Sequence, residues 1–157
     1  MVNPDQGNDR PIDILMAENN EADIKIALRA FSRAKLKNNI YVVTDGQEAL
    51  DFVYHKGKYQ DKEKFPRPDL ILLDIKMPKI DGFGVLEKLK KDPLYCMIPI
   101  VILTSSENEK DIARSYNNGA SSYITKPVDY ESFVKAVDGF NFYWHIINKL
   151  PNGKEQA

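Results

Sequence analysis

Two stretches of this chain limit its fold more than any others. Leu70-Ile71-Leu72-Leu73 and Ile100-Val101-Ile102-Leu103 are apolar at every position. A strand with one face in water alternates apolar and polar residues, so a strand without alternation belongs where both faces are covered. Three further short runs, Ile12–Ala17, Ile40–Thr44 and Ser121–Thr125, are read in the same way, and the central strands are taken as Leu70–Asp74 and Ile100–Thr104. Such a sheet needs helices on both sides.

The segments between these runs supply them. Ile24, Ala27, Leu28 and Phe31 share one helical face after a polar entry at Asn20. Ala49, Leu50 and Val53 follow Asp45-Gly46, and Val85, Leu86 and Leu89 follow Asp81-Gly82 and stop before Pro93. Ile112, Ala113 and Tyr116 form a fourth stripe, closed by Asn118-Gly119. A last helix is expected over Tyr130–Leu150, with Phe133, Val137, Phe140, Trp144 and Ile147 on its buried side. Strand and helix thus alternate five times. That order predicts an α/β fold, a doubly wound parallel sheet with right-handed crossovers.

A chain of 157 residues suits one domain with its own core. The expected boundaries are a flexible N-terminus over 1–11, the folded domain over 12–150 and a frayed tail over 151–157. A net charge of -1 speaks against holding nucleic acid by bulk electrostatics. One cysteine, Cys96, excludes an internal disulfide and a thiolate metal site. No apolar run approaches the roughly 18–20 residues of a membrane span, and the start lacks a signal pattern, so a cytoplasmic protein is expected. His55 and His145 have no partner pattern and are read as surface residues. The connection Lys56–Pro68, with four lysines and two prolines, reads either as a solvated loop or as a partner contact.

In an open parallel sheet, ligand-contacting residues gather at the carboxyl ends of strands, near the point where strand order reverses. Those ends carry Glu18-Asn19, Asp74, Thr104-Ser105 and Lys126-Pro127. A carboxylate can attack phosphorus and form an acyl phosphate. Phosphoryl transfer then depends on positioning and charge neutralisation, which an ammonium, a hydroxyl and a Mg²⁺ on carboxylates can provide. The plainer readings are a turn cap at Asp74, a helix cap at Asn19 and a solvated turn lysine at Lys126.

Three segments then carry a specific resemblance. Asp74-Ile75-Lys76-Met77-Pro78-Lys79-Ile80-Asp81-Gly82 resembles the phosphoacceptor loop of response-regulator receivers. Pro99–Ser105 and Gly119–Pro127 are similar to the two later receiver motifs, in the same order. Arg67-Pro68-Asp69 and the aromatic last helix are similar to stand-alone receivers of the cyanobacterial phytochrome-associated type. The resemblance implies a flavodoxin-like, CheY-like sheet of order 2-1-3-4-5. It implies a signalling protein rather than an enzyme, phosphorylated on Asp74 by a histidine kinase or phosphotransfer protein. Thr104 would be the switch hydroxyl, Tyr123 its swinging aromatic, and Lys126 the bridge to the phosphoryl group through a cis Lys126–Pro127 bond. Glu18, Asn19, Asp74 and the main-chain carbonyl of Lys76 would hold Mg²⁺. Output would pass to a downstream protein target, with a homodimer expected through Tyr123 and the Tyr130–Leu150 helix.

The chain also departs from the receiver pattern. Receivers usually place two acids after the first strand, and here the pair is Glu18-Asn19, which predicts weakened Mg²⁺ binding. Lys76 is either an exposed loop lysine or a group that lengthens the life of the aspartyl phosphate. Three competing functions follow. A docking module working without phosphate is favoured by Asn19 alone. A flavin carrier would want a glycine- and hydroxyl-rich loop after the first strand. An aspartate-nucleophile phosphatase would want an acid at position 76.

Overall fold

The computed structural model describes residues 10–34, 36–105 and 109–138. Five parallel strands lie in the order β2-β1-β3-β4-β5: β1 Ile12–Ala17, β2 Asn38–Val43, β3 Leu70–Asp74, β4 Ile100–Thr104 and β5 Ser122–Thr125. Helices follow each strand, α1 Glu21–Ser32, α2 Gly46–Tyr54, α3 Gly82–Lys91, α4 Glu109–Asn117 and α5 Tyr130–Asp138. The doubly wound sheet expected from the apolar runs is present. The remainder of the helix expected up to Leu150, with Phe140, Trp144, His145 and Ile147, lies outside the described residues.

Successive strand residues point to opposite layers, which is why the central runs carry no polar position. Leu15, Ile71, Leu73, Ile100 and Ile102 pack with Leu50, Val53, Val85, Leu86 and Leu89 of α2 and α3. Ile14, Met16, Leu70, Leu72, Val101 and Leu103 pack on the other side with Ala27, Phe31 and Phe133 of α1 and α5. Each such side chain contributes about 1.5–3 kcal/mol by leaving water.

Several expectations need correction. β2 starts at Asn38, not Ile40, and is only half-buried, because it is an edge strand with one open side. Asn38 fits there because its side-chain amide donates to the carbonyls of Phe31 and Leu36 at 3.0 and 2.8 Å. In α1, Leu28 is exposed and Ile24 half-buried, so Ala27 and Phe31 carry the contact. In α4, Ala113 and Tyr116 face outward, and the buried position is Ser115. Its hydroxyl is tolerated because it donates back to the Asp111 carbonyl at 2.8 Å.

Two Asp-Gly pairs begin helices at the carboxyl edge of the sheet. Asp45 accepts from the Glu48 backbone N–H at 2.7 Å and Asp81 from that of Gly84 at 2.8 Å, satisfying first-turn donors. Gly82 is required by close approach, since a Cβ there would run into the carbonyl oxygen of Asp74. The start of α3 is therefore packed directly on the loop that carries Asp74.

The long connection between α2 and β3 folds back along α2 and is anchored on it. It makes a short 3₁₀ turn, Gly57–Tyr59, and sends Tyr59 and Phe65 against Phe52 with ring centroids 5.1 and 5.8 Å away. His55, expected at the surface without a partner, is half-buried in a left-handed conformation (φ 57°), with Nε2 2.8 Å from the Phe65 carbonyl oxygen. The Tyr59 hydroxyl donates to Glu48 at 2.7 Å, and the Lys58 ammonium lies 2.8 Å from the same carboxylate. Lys58 and Tyr59 hold the Glu48 carboxyl down to about 2, while burial and Glu48 push Tyr59 up to about 12.

Tyr59→Phe is expected to lower the unfolding free energy in urea by about 1 kcal/mol at neutral pH. Because the Glu48 pKa is depressed on folding, its contribution is full above the ordinary 4.5 and is lost as pH falls toward about 2. The deficit of the variant should shrink over that window. A deficit independent of pH would contradict the assigned anchor.

Candidate functional site

Strand register decides what meets at the carboxyl edge. Ala17 pairs with Leu73, Asp74 with Leu103, and Thr104 with Thr125. Glu18, Asp74, Thr104 and Lys126 therefore leave the sheet within one residue of a common row. β1 and β3 are neighbours although β2 separates them in sequence, so Glu18 and Asp74 flank the point where the winding reverses. The Lys126 backbone N–H donates to the Thr104 carbonyl at 2.7 Å, tying the last loop to β4. The Lys126–Pro127 peptide bond is cis, as the resemblance implies.

The centre of the arrangement is the Lys126 ammonium. It lies 3.2 Å from a Glu18 oxygen, 3.2 Å from Asp23 Oδ2 and 3.5 Å from Asp74 Oδ2. Its side chain is 12% exposed, that of Glu18 1% and that of Asp74 8%. Burial pushes the Glu18 carboxyl above the usual range. The Asn20 backbone N–H opposes that shift by donating at 3.0 Å, Asp74 adds to it by repulsion, and Lys126 pulls against it. Burial disfavours the charged Lys126, but Asp74 and Glu18 outweigh it and hold its pKa above the ordinary lysine value.

A cavity of about 110 Å³ opens beside this cluster, bounded by Asp74, Lys76, Thr104, Ser105, Asp111 and Lys126. Asp74, Thr104 and Lys126, from three different strand ends, thus border a single space. Thr104 and Asp111 each have a partner in the structure. The Lys76 side chain is exposed, at the rim.

Asn19 sits differently. It is exposed and lines an adjoining open groove of about 520 Å³ together with Lys76, Asp81, Phe83 and Arg114. It is not the cap of α1, because Asn20 accepts from the Asp23 N–H at 2.9 Å. Tyr123 is separate from the charged cluster, half-buried with its ring 6.3 Å from that of the exposed Tyr116. The dimer expected along α5 rests largely on residues from 139 onward, outside the described ones.

Two contributors were not anticipated from sequence. Asp23, in the first turn of α1, reaches Lys126, and Asp111, in α4, borders the cavity. Each lies on a helix, not in a strand-end loop, so scanning strand ends could not find them. For Asp23 the available signal was an acid in the first turn of α1, the helix that starts just past Glu18-Asn19.

Among the described residues, no helix is long and apolar enough to cross a membrane. Comparison with known proteins agrees with this geometry. The family model for the response regulator receiver domain matches residues 14–138. Response regulator Rcp1 of Synechocystis sp. is 34% identical over 138 residues, covering 88% of this chain and 92% of that protein. The structure of the bacteriophytochrome response regulator RtBRR superposes with a TM-score of 0.77 at 36% identity, covering 94% of this chain and 89% of that one. The phosphorylated cyanobacterial phytochrome response regulator RcpA gives 0.68 at 33% identity, covering 88% and 91%. The Mn(2+)-bound form of Rcp1 gives 0.68 at 30% identity, covering 94% and 97%. With a buried lysine bridging two strand-end carboxylates on a doubly wound sheet, and this match across the sheet, the chain belongs to the response regulator receiver domain family.

Proposed function

We propose that this receiver accepts a phosphoryl group on Asp74 from a histidine kinase or phosphotransfer protein, with Mg²⁺, and signals in the cytoplasm through protein contacts. The observation that carries this reading is Asp74 beside the Lys126 ammonium, 3.5 Å away, at the wall of a cavity of about 110 Å³. An Asp74 oxygen attacks phosphorus, the bond to the donor breaks, and the donor nitrogen or oxygen keeps the electron pair. Lys126 neutralises the transferred oxygens as a point charge and the Thr104 hydroxyl donates to one of them.

The donor set fits a hard divalent cation. Glu18 and Asp74 are buried carboxylates, and the Asn19 amide oxygen and the Lys76 carbonyl would complete an oxygen shell. Among the described residues no group of three or more acids, histidines or cysteines stands in metal-holding arrangement, so neutral oxygens are needed. When bound, the cation would neutralise charge on the phosphoryl oxygens. The Mn(2+)-bound form of Rcp1 and the phosphorylated form of RcpA are similar to this chain along most of its length, which supports both assignments. Movement of Thr104 toward the phosphoryl group would free space for Tyr123, whose pairing with the exposed Tyr116 supports an output surface on α4, β5 and α5. Lys76, at the rim, would slow hydrolysis by obstructing the attacking water.

The second reading, a docking module independent of phosphate, is favoured by Asn19 standing where an acid is usual. Acetyl phosphate with Mg²⁺ separates the two. A phosphate-affinity gel is expected to resolve a shifted band for the wild type and none for Asp74→Asn. An unshifted wild type would leave only the docking reading.

Asn19→Asp restores the carboxylate and is expected to tighten Mg²⁺ binding by roughly tenfold in calorimetry. An unchanged titration would remove residue 19 from the cation site.

A further inference from the structure

We propose that Asp23 positions the Lys126 ammonium and returns to the pocket the negative charge missing at Asn19. This rests on the phosphoacceptor reading above and deepens it, by naming a residue outside the strand-end loops on which the site depends.

The geometry is that of a saturated ammonium. Lys126 has three N–H donors and meets three carboxylates, Glu18 and Asp23 at 3.2 Å and Asp74 at 3.5 Å. Asp23 is held for this contact at both ends. Its backbone N–H is fixed by the Asn20 cap at 2.9 Å, and its side chain is only 24% exposed. An ordinary surface pair between mobile side chains contributes little, but here the lysine is almost wholly enclosed.

Two consequences follow from sharing the lysine. The first is charge. Glu18, Asp23 and Asp74 against Lys126 leave the pocket two negative charges, the amount a divalent cation cancels. Without Asp23 only one remains, since Asn19 contributes none.

The second consequence is availability. Glu18 is the most buried of the three acids and already holds the ammonium with both oxygens, at 3.2 and 3.4 Å. An ammonium resting on Glu18 and Asp74 alone would compete with any cation for both carboxylates. Asp23, on the helix side, gives Lys126 a third anchor apart from those two, so that Glu18 can turn to a cation while the ammonium stays within reach of Asp74. Asp23 acts through Lys126 and touches no reacting atom, so it is a positioning residue.

The test is calorimetric Mg²⁺ titration and acetyl phosphate labelling of the full chain, as wild type, Asp23→Asn and Asp23→Glu, each checked by thermal melting. Asp23→Asn is expected to weaken Mg²⁺ binding by roughly tenfold and to slow labelling at fixed Mg²⁺ by a similar factor. Asp23→Glu, which keeps the charge, should stay within about threefold of the wild type. That rescue separates a charge role from loss of helix capping or packing. A wild-type response from Asp23→Asn, or an equal loss in Asp23→Glu, overturns the inference and leaves the phosphoacceptor reading standing. A wild type that takes up neither Mg²⁺ nor phosphate overturns both.

Discussion

A lysine ammonium enclosed by carboxylates organises the working end of this protein. Lys126 and Glu18 are close to fully buried, and a buried charge is tolerated only when paired and hydrogen-bonded. Removing the ammonium would leave Glu18 and Asp74 as close carboxylates without a neutralising partner, so the pocket favours positive charge. That requirement suits a receiver. On the proposed function, the site that holds a cation against its acids would later offer that cation to an incoming anion, an exchange that is easiest when no single contact dominates. The longest of the three pairs is the one to Asp74, which leaves the proposed acceptor the least encumbered of the acids.

The rest of the fold makes that meeting reproducible. Parallel register brings four strand ends to one row, and the β1–β3 adjacency places the two acids at the reversal of winding. Helix starts capped by Asn20, Asp45 and Asp81 keep the loops at this edge short. At Gly82 the helix approaches so closely that the Asp74 loop cannot shift without moving α3. The long connection is tied to α2 by a separate device, the aromatic cluster of Phe52, Tyr59 and Phe65 fastened through Glu48.

Much of this was legible in the residues because the signals were strong and local. β1, β3 and β4 have the bounds that their apolar runs mark, since a strand covered on both faces shows its ends as changes of polarity. β2 was less legible, because an edge strand admits Asn38 and Asn39 without a break in pairing. The α4 stripe misled because Ala113 and Tyr116 have helical spacing but face water, whereas Ser115 hides a satisfied hydroxyl. The connection after α2 carries so many lysines that its two anchoring aromatics were hidden among them. Asp74, Thr104 and Lys126 could be grouped from sequence because topology places strand ends together. Asp23 was not, because its contact depends on the length of a lysine side chain reaching across to the first turn of a helix.

A crystal structure of the protein with Mg²⁺ and beryllium fluoride, a mimic of the phosphoryl group, would show directly whether this pocket works as an acceptor. The expected result is beryllium bonded to an Asp74 oxygen, with the Lys126 ammonium and the Thr104 hydroxyl on its fluorides. Beryllium fluoride absent from Asp74 at saturating concentration, or bound there with Lys126 still held by Glu18 and Thr104 turned away, would contradict it.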